Sequence, residues 1–353
     1  MARILYAVNG EGMGHAVRSK VIIENLIKKK HDVIIIAGDR AFNFLSKHFK
    51  NVYNIECYNI VYKDNTVQNI DTTIATFKKF PGALKTNLKR LLILMIKFEP
   101  EIVITDFEPF SNFVSKIFKI PVLSIDNMSI IKKARIHISP MEFHSFLAAK
   151  VAMNSFMRIN ANKYIITTFF YPELKNPKDT VLVPPVLRPE ILRTKPKKGT
   201  HILVYQTSAT NKKLLSVMKR IKEKFIVYGF NINKKDKNLV FRKFSEKGFI
   251  KDMASCKAII INGGFTVLSE ALYLHKPILS IPVRRQFEQI LNAYYVKKLG
   301  YGEYCKTING ECIKEFIKNL GTYQKNIETY KQDGNKRLFR EVDSSIKNLI
   351  KKA

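Results

Sequence analysis

At 353 residues the chain exceeds what one ordinary core organises, so two domains are expected from length. Hydrophobic residues make up 46% and aromatics 11%, which supplies packed cores and excludes a disordered or low-complexity protein. The formal charge of +32, from 61 Lys and Arg against 29 Asp and Glu, permits an anionic partner. The lysines nevertheless run along the whole chain in pairs such as Lys132-Lys133 and Lys197-Lys198, which equally suits a compositional habit.

The longest apolar runs fall far short of the roughly 20 residues a membrane span needs. The first residues enter a strand-like run without the regions of a secretory signal, so a cytoplasmic location is expected. Cys57, Cys256, Cys305 and Cys312 form no Cys-x-x-Cys pair, which argues against a zinc site or a disulfide framework and for reduced packing residues.

In chain order, β-branched strand-like runs at 3–8, 32–37, 102–105 and 121–125 alternate with helical stretches that include 16–29 and 84–98. This is the pattern of βαβ units and a parallel sheet. The first strand empties into Asn9-Gly10-Glu11-Gly12-Met13-Gly14-His15-Ala16-Val17-Arg18. Glycines there let the backbone approach a ligand, and the free N–H groups of the following helix suit an oxyanion. The loop of Gly10, Gly12, Gly14 and Arg18 is thus a candidate phosphate or acceptor site. A dinucleotide fingerprint, for which Asp39 would be the ribose acid, is disfavoured because His15 stands where the third glycine belongs.

A histidine at a helix N-terminus is kept neutral by the macrodipole, and a neutral imidazole can take a proton from an acceptor hydroxyl. A carboxylate on its far nitrogen would fix the tautomer. Asp106 is the first choice, because it ends a strand-like run at the edge where open α/β sheets place ligands. Glu108 and Asp126 are alternatives, each as readily capping or solvated residues.

Helix 84–98 has Lys85, Lys89, Arg90 and Lys97 beside its leucines, and 143–158 is similarly amphipathic. Each is compatible with docking on an anionic membrane, although a core helix with a solvated basic edge is the preferred reading. A proline cluster, Val183-Pro184-Pro185-Val186, then reads as the start of a linker. The expected division is 1–183 for an acceptor-binding domain, 184–199 for the linker and 200–322 for a second parallel α/β domain. A helical tail, 323–353 with a break near Gly334, would pack back on the first. The second domain's strands are expected at 201–205, 224–229, 258–261 and 277–281.

The most informative stretch runs from Ile261 through Asn262-Gly263-Gly264-Phe265-Thr266 to Glu270, then from Lys276 to Pro282, then Gln286-Phe287-Glu288-Gln289 to Asn292-Ala293. A strand entering Gly263-Gly264 with a helix beginning near Thr266 offers N–H groups and a hydroxyl to a diphosphate. Glu270 follows one helical turn later, where a carboxylate could accept ribose hydroxyls.

These residues resemble the nucleotide-sugar signature of GT-B glycosyltransferases, notably the bacterial lipid-linked N-acetylglucosaminyltransferase and the macrolide and UDP-glucuronosyl types, with some little-described archaeal and bacterial relatives. The resemblance implies an α/β fold of two Rossmann-like parallel-sheet domains facing a cleft. It implies that Gly264, Phe265 and Thr266, following Gly263, make the phosphate-contacting turn, that Glu270 binds ribose, and that Gln289 with Glu288 contacts the sugar. Gly12, Gly14 and His15 resemble the family's acceptor loop. The chain departs from the family at Tyr205-Gln206-Thr207-Ser208-Ala209-Thr210, where a Gly-Gly-Ser-rich loop is common.

The function implied is transfer of a hexose-type sugar from a nucleoside-diphosphate donor, UDP-linked, to an acceptor hydroxyl, with inversion. No cofactor and no metal are expected, in keeping with the lack of an Asp-x-Asp pair. A lipid-linked or polysaccharide acceptor and a place at the inner face of the membrane are compatible with the chain. No nucleic-acid partner is expected, since no nucleic-acid module is found. The alternatives are a nucleotide-sugar epimerase of the same architecture, a non-catalytic anion- or RNA-binding protein, and a nicotinamide-dependent oxidoreductase.

Overall fold

The computed structural model describes the chain except residues 11, 57–61, 64–65, 68, 139–141, 155–159, 207–211 and 353. The side chains at 62–63, 66–67, 69–81, 83–84, 152 and 212 are likewise not described. Two compact units result, one of residues 1–61, 68–188 and 333–353, the other of 62–67 and 189–332.

The first unit begins with β1 (Arg3–Val8), α1 (Met13–Lys28), β2 (Asp32–Ala37), α2 (Asp39–Leu45) and β3 (Val52–Asn54). A two-stranded hairpin of β4 (Tyr62–Lys63) and β5 (Thr66–Val67) interrupts it. It resumes with α3 (Asn69–Phe98), β6 (Ile102–Asp106), α4 (Pro109–Ile117), β7 (Val122–Asp126), α5 (Ile130–Lys133), α6 (Phe143–Asn154), β8 (Lys163–Thr167) and β9 (Thr180–Val183). Its sheet runs β3-β2-β1-β6-β7-β8-β9, and every pairing is parallel.

Parallel sheets are covered on both faces, so their strands are apolar throughout, and β1 shows why. Ile4, Tyr6 and Val8 point into one buried cluster while Leu5 and Ala7 point into the other. The first cluster takes Ile22 and Leu26 of α1, and the second takes Leu91 and Met95 of α3 with Val114 of α4.

The second unit continues with α7 (Pro189–Leu192), β10 (Ile202–Tyr205), α8 (Lys212–Met218), β11 (Phe225–Tyr228), β12 (Lys234–Asp236), β13 (Leu239–Phe241), α9 (Glu246–Ser255) and β14 (Ala258–Ile261). It closes with α10 (Phe265–Tyr273), β15 (Ile278–Ser280), α11 (Phe287–Lys298), β16 (Gly302–Tyr304), α12 (Gly310–Lys318) and α13 (Leu320–Ile327). Its sheet order is β12-β13-β11-β10-β14-β15-β16, parallel but for the β12–β13 pair.

After unit 2 the chain returns to the first unit as α14 (Lys336–Ile350). Leu338, Val342 and Ile346 of α14 enter the cluster formed with β1 and α1. Its start is pinned by buried Asn335, whose Oδ1 accepts from Leu187 N at 2.9 Å while its Nδ2 donates to Leu187 O at 2.7 Å.

Three differences from the sequence reading have local causes. α1 starts at Met13 rather than Ala16, because Gly12 takes φ 89° and the helix begins directly after it. The strands β8 and β9, unmarked in the sequence, are four or five residues long, and β9 runs into the proline cluster that dominated the reading there. Cys305 and Cys312, expected to be reduced, are joined as a disulfide across 6.4 Å between Cα atoms. The turn from β16 into α12 brings them together, which a spacing of seven residues does not announce. Cys256 is free and buried, and Cys57 lies outside the described residues.

Candidate active site

Two strand-end constellations gather the expected site residues, one in each unit. The first lies where the sheet order reverses, since the chain leaves β1 for β2 on one side and returns to β6 on the other. Such switch points open a crevice at the strands' carboxyl ends. Val8 of β1 is in register with Asp106 of β6, so the loop after β1 starts beside the Asp106 backbone. Asn9 fixes that start, its N–H donating to Asp106 O at 3.1 Å and its Nδ2 to Phe107 O at 3.1 Å.

Gly10 is buried in the loop and Glu11 lies outside the described residues. Gly12 takes the left-handed conformation that favours glycine, and Gly14 and His15 fall in the first turn of α1. The His15 ring lies flat beside that of Phe107, centroids 6.5 Å apart and planes 15° from parallel. Phe107 itself is left-handed at φ 57°, a strained state for an aromatic residue, stored at the tip of β6.

Asp106 is the centre of this constellation and is fully buried. His15 Nδ1 lies 2.8 Å from its Oδ1, Arg18 donates through Nε to Oδ2 at 2.7 Å and through Nη2 to Oδ1 at 2.5 Å, and Ser19 Oγ donates to Oδ2 at 3.0 Å. Burial by itself raises the Asp106 pKa, yet Arg18 and then His15 outweigh it and hold the carboxyl at about 2. Arg18 also donates through Nη1 to Asn127 Oδ1 at 2.5 Å. His15, Arg18 and Ser19 share a face of α1 because positions three and four apart are neighbours on a helix.

The alternative acids have structural duties. Glu108 caps α4, accepting from Phe110 N at 2.8 Å and Ser111 N at 2.7 Å. Burial pushes its pKa up against those hydrogen bonds. Asp126 accepts from Ser129 N and from the Ser124 and Ser129 hydroxyls at 2.6–2.8 Å, ordering the turn before α5. The sequence reading placed Arg18 in the loop and did not see its grip on Asp106, nor the parts of Ser19 and Asn127. The i, i+3, i+4 spacing of His15, Arg18 and Ser19 was the available signal.

In the second unit the order reverses between β10 and β14, and the Gly-Gly turn follows β14 there. Gly263 has φ 86°, and a Cβ on it would stand 2.7 Å from Ser280 Oγ and 2.9 Å from Gln289 O. Glycine is required at that position. Gly264 has an ordinary φ of −61° and open space where a Cβ would be, so neither backbone nor packing demands glycine. It is the N-cap of α10 and supplies no side-chain cap.

Phe265 is buried at the first position of α10, Thr266 beside it is partly exposed, and Glu270 is buried among its own partners. Gln289 of α11 accepts from Val283 N at 2.9 Å, which ties the β15–α11 connection, and Glu288 sits half-buried in the first turn of α11. Asn292 Nδ2 donates to Gly263 O at 3.0 Å, so the resemblance's Asn-Ala dipeptide braces the Gly-Gly turn. Asn262 Nδ2 donates to Ile281 O at 3.0 Å and to Gln206 Oε1 at 3.3 Å, a cross-strand link the sequence did not reveal. The departing stretch after Gln206 lies outside the described residues.

Two α/β units with parallel sheets, each with its loops at a switch point, define a protein of the GT-B class, and solved structures agree. The calicheamicin glycosyltransferase CalG4 is similar at TM-score 0.67, 14% identity, 97% of this chain and 98% of that one. The UGT2 of Phytolacca americana, complexed with UDP-2-fluoro-glucose and pterostilbene, is similar at 0.65, 10% identity, 98% and 99%. MurG of Acinetobacter baumannii is similar at 0.60, 12% identity, 97% and 99%. At sequence level an uncharacterized glycosyltransferase of Methanosarcina acetivorans is 23% identical over 382 positions, covering 99% of this chain and 98% of that relative. The chain belongs to glycosyl transferase family 1, whose model matches residues 2–321, and its reaction class is therefore sugar transfer.

Proposed function

We propose that this glycosyltransferase moves a hexose-type sugar from a UDP-linked donor to an acceptor hydroxyl, inverting the anomeric carbon and using no metal. The observation that carries the chemical half is His15 Nδ1 standing 2.8 Å from a buried carboxylate that Arg18 keeps ionised. Arg18 Nη2 also lies 2.7 Å from the same ring nitrogen. In the tautomer proposed, Nδ1 carries the proton and donates to Asp106 Oδ1, while Arg18, a pure donor, is directed to the Asp106 carboxylate. Nε2 is then the acceptor.

In the reaction proposed, the acceptor's O–H proton passes to His15 Nε2 as the oxygen bonds to the anomeric carbon. The bond from that carbon to the diphosphate breaks, and its electron pair leaves on the diphosphate. Asp106 stabilises the imidazolium that forms. A single displacement inverts the centre.

For the donor, the support is Gly264. A helix whose N-cap has no side chain, with open space above it, leaves backbone N–H groups for a diphosphate, and the Thr266 hydroxyl stands in the same turn. Glu270 and Glu288 with Gln289 are proposed for the ribose and the sugar. The acceptor proposed is lipid-linked or polysaccharide.

The test is release of UDP from a panel of UDP-hexoses, with NMR of the sugar product. Product of inverted configuration in EDTA, lost in His15→Ala, supports the reading. Retained configuration, or full activity in His15→Ala, refutes the mechanism, and interconversion of the free donor would make the protein an epimerase.

A further inference from the structure

The connection from β15 to α11 is pinned at both ends and presents two charges between them. Val283 N donates to Gln289 Oε1 at 2.9 Å, and Gln286 N donates to Val283 O at 3.2 Å. Residues 283–286 therefore form a four-residue turn in which Val283 is buried while Arg284 and Arg285 are exposed. Arg285 stands third in that turn at φ 63°, a left-handed position that favours glycine or asparagine. A bulkier residue there costs about 1 kcal/mol. Lys30, Glu99, Lys119 and His275, also left-handed, merely close α1, α3, α4 and α10. Arg285 instead follows a strand, at the edge where such strain gathers at functional sites.

The pair departs from the composition as well. Every other basic doublet in the chain contains a lysine, and Arg-Arg occurs only here. Among the described residues neither guanidinium has a hydrogen-bond or ion-pair partner. Glu288, in the first turn of α11, offsets one of the two charges and leaves the other.

The turn adjoins the residues proposed for the donor. A Cβ on Gly263 would stand 2.9 Å from Gln289 O, and Asn292 Nδ2 donates to Gly263 O at 3.0 Å, so the Gly-Gly turn packs on α11 where Gln289 leaves it. Gln289 is only 5% exposed, and with Oε1 taken by Val283 N its Nε2 has no partner among the described residues. Buried amide groups are otherwise paired, so this N–H group suits a ligand oxygen.

Resting on the donor site proposed above, we infer that Arg284 and Arg285 select a donor whose sugar is a hexuronic acid, their guanidiniums meeting its carboxylate and Gln289 Nε2 a neighbouring sugar oxygen. Guanidinium and carboxylate match as two parallel N–H···O bonds, which an ammonium cannot reproduce. A neutral hexose carries a hydroxymethyl group at that carbon and leaves both arginines unanswered. The diphosphate is the donor's other anion, and its proposed place at the start of α10 has backbone N–H groups of its own.

The experiment is calorimetric titration of the full chain with UDP and with matched donors, UDP-glucuronate against UDP-glucose and UDP-galacturonate against UDP-galactose. In at least one pair the acid should bind about tenfold more tightly than its neutral counterpart, as hydrogen bonds to a charged group provide. Arg284→Gln with Arg285→Gln should abolish that preference and leave the affinity for UDP as it was. Arg285→Gly, which suits the left-handed turn, should weaken the preference without lowering Tm, and serves if the double variant misfolds. No preference for the acid in either pair, or a preference that survives both variants, would overturn the inference, while UDP binding would still uphold the donor site. So would a double variant whose affinity for UDP falls as far as that for the acid, since the arginines would then hold the diphosphate. Binding of no uridine nucleotide at all would remove the donor site proposed and this inference with it.

Discussion

Arg18 grips Asp106 with a two-pronged fork, Nε on Oδ2 at 2.7 Å and Nη2 on Oδ1 at 2.5 Å, while both side chains are buried. The arginine makes it possible to hold a charged aspartate inside the domain, beside the histidine that needs it. Removing one partner of a buried pair leaves the other charge unanswered, at a cost of about 3–5 kcal/mol. Arg18→Met should therefore lower stability by about that much in urea unfolding. Arg18→Lys should recover only part, because an ammonium cannot reproduce the fork.

His15 is a different case, being in the first helical turn and partly open. His15→Asn should leave urea unfolding within about 1 kcal/mol of wild type and lower kcat by about 10²–10⁴-fold. A variant that loses fold and activity together would speak against a chemical role.

The held charge of Asp106 also sets an acid limb. Its folded pKa, about 2, lies below the roughly 3.9 of an unfolded aspartate. Its stabilisation, about 3 kcal/mol, is therefore fully present above pH 4 and lost as pH falls towards 2. Glu108 acts in the opposite sense: burial raises its folded pKa, so its contribution favours the folded state at low pH and is lost as pH rises through that value. Stability followed against pH should lose its steep acid limb in Asp106→Asn and keep it in Glu108→Gln.

Adjacent glycines should separate fold from ligand. Gly263→Ala meets both a left-handed φ and a Cβ 2.7 Å from Ser280 Oγ, and should cost about 2 kcal/mol. Gly264→Ala meets neither, and should leave Tm unchanged while weakening UDP binding at least about tenfold, because the methyl occupies the space proposed for the diphosphate.

The disulfide has a direct readout. Alkylation of the unfolded, unreduced chain should label Cys256 but not Cys305 or Cys312. Reduction should lower stability by about 2 kcal/mol, as expected for so short a loop.

Strand-rich runs and glycine turns were legible because they are local: β1 with its glycine loop and β14 with Gly263-Gly264 appear in the sequence much as they fold. Asp106 was legible as well, since a carboxylate ending an apolar run marks a strand's carboxyl edge. What was not legible depends on chain segments meeting across the sheet. Arg18 reaches Asp106 across 88 positions and Asn127 across 109, and Asn262 reaches Gln206 across 56. No local pattern records such distances. Gln289 looked like a sugar ligand by resemblance, and its contact with Val283 N is a backbone duty that only the folded turn discloses.

The central claim, that the turn after β14 holds a nucleoside diphosphate, is tested most directly by calorimetric titration with UDP, other nucleoside diphosphates and NAD. Wild-type protein and Glu270→Ala are compared. The account predicts that UDP binds the wild type and that the variant loses at least about tenfold in affinity, as expected when a hydrogen bond to a charged group is removed. Binding of NAD alone, or UDP binding with equal affinity to both proteins, would contradict it.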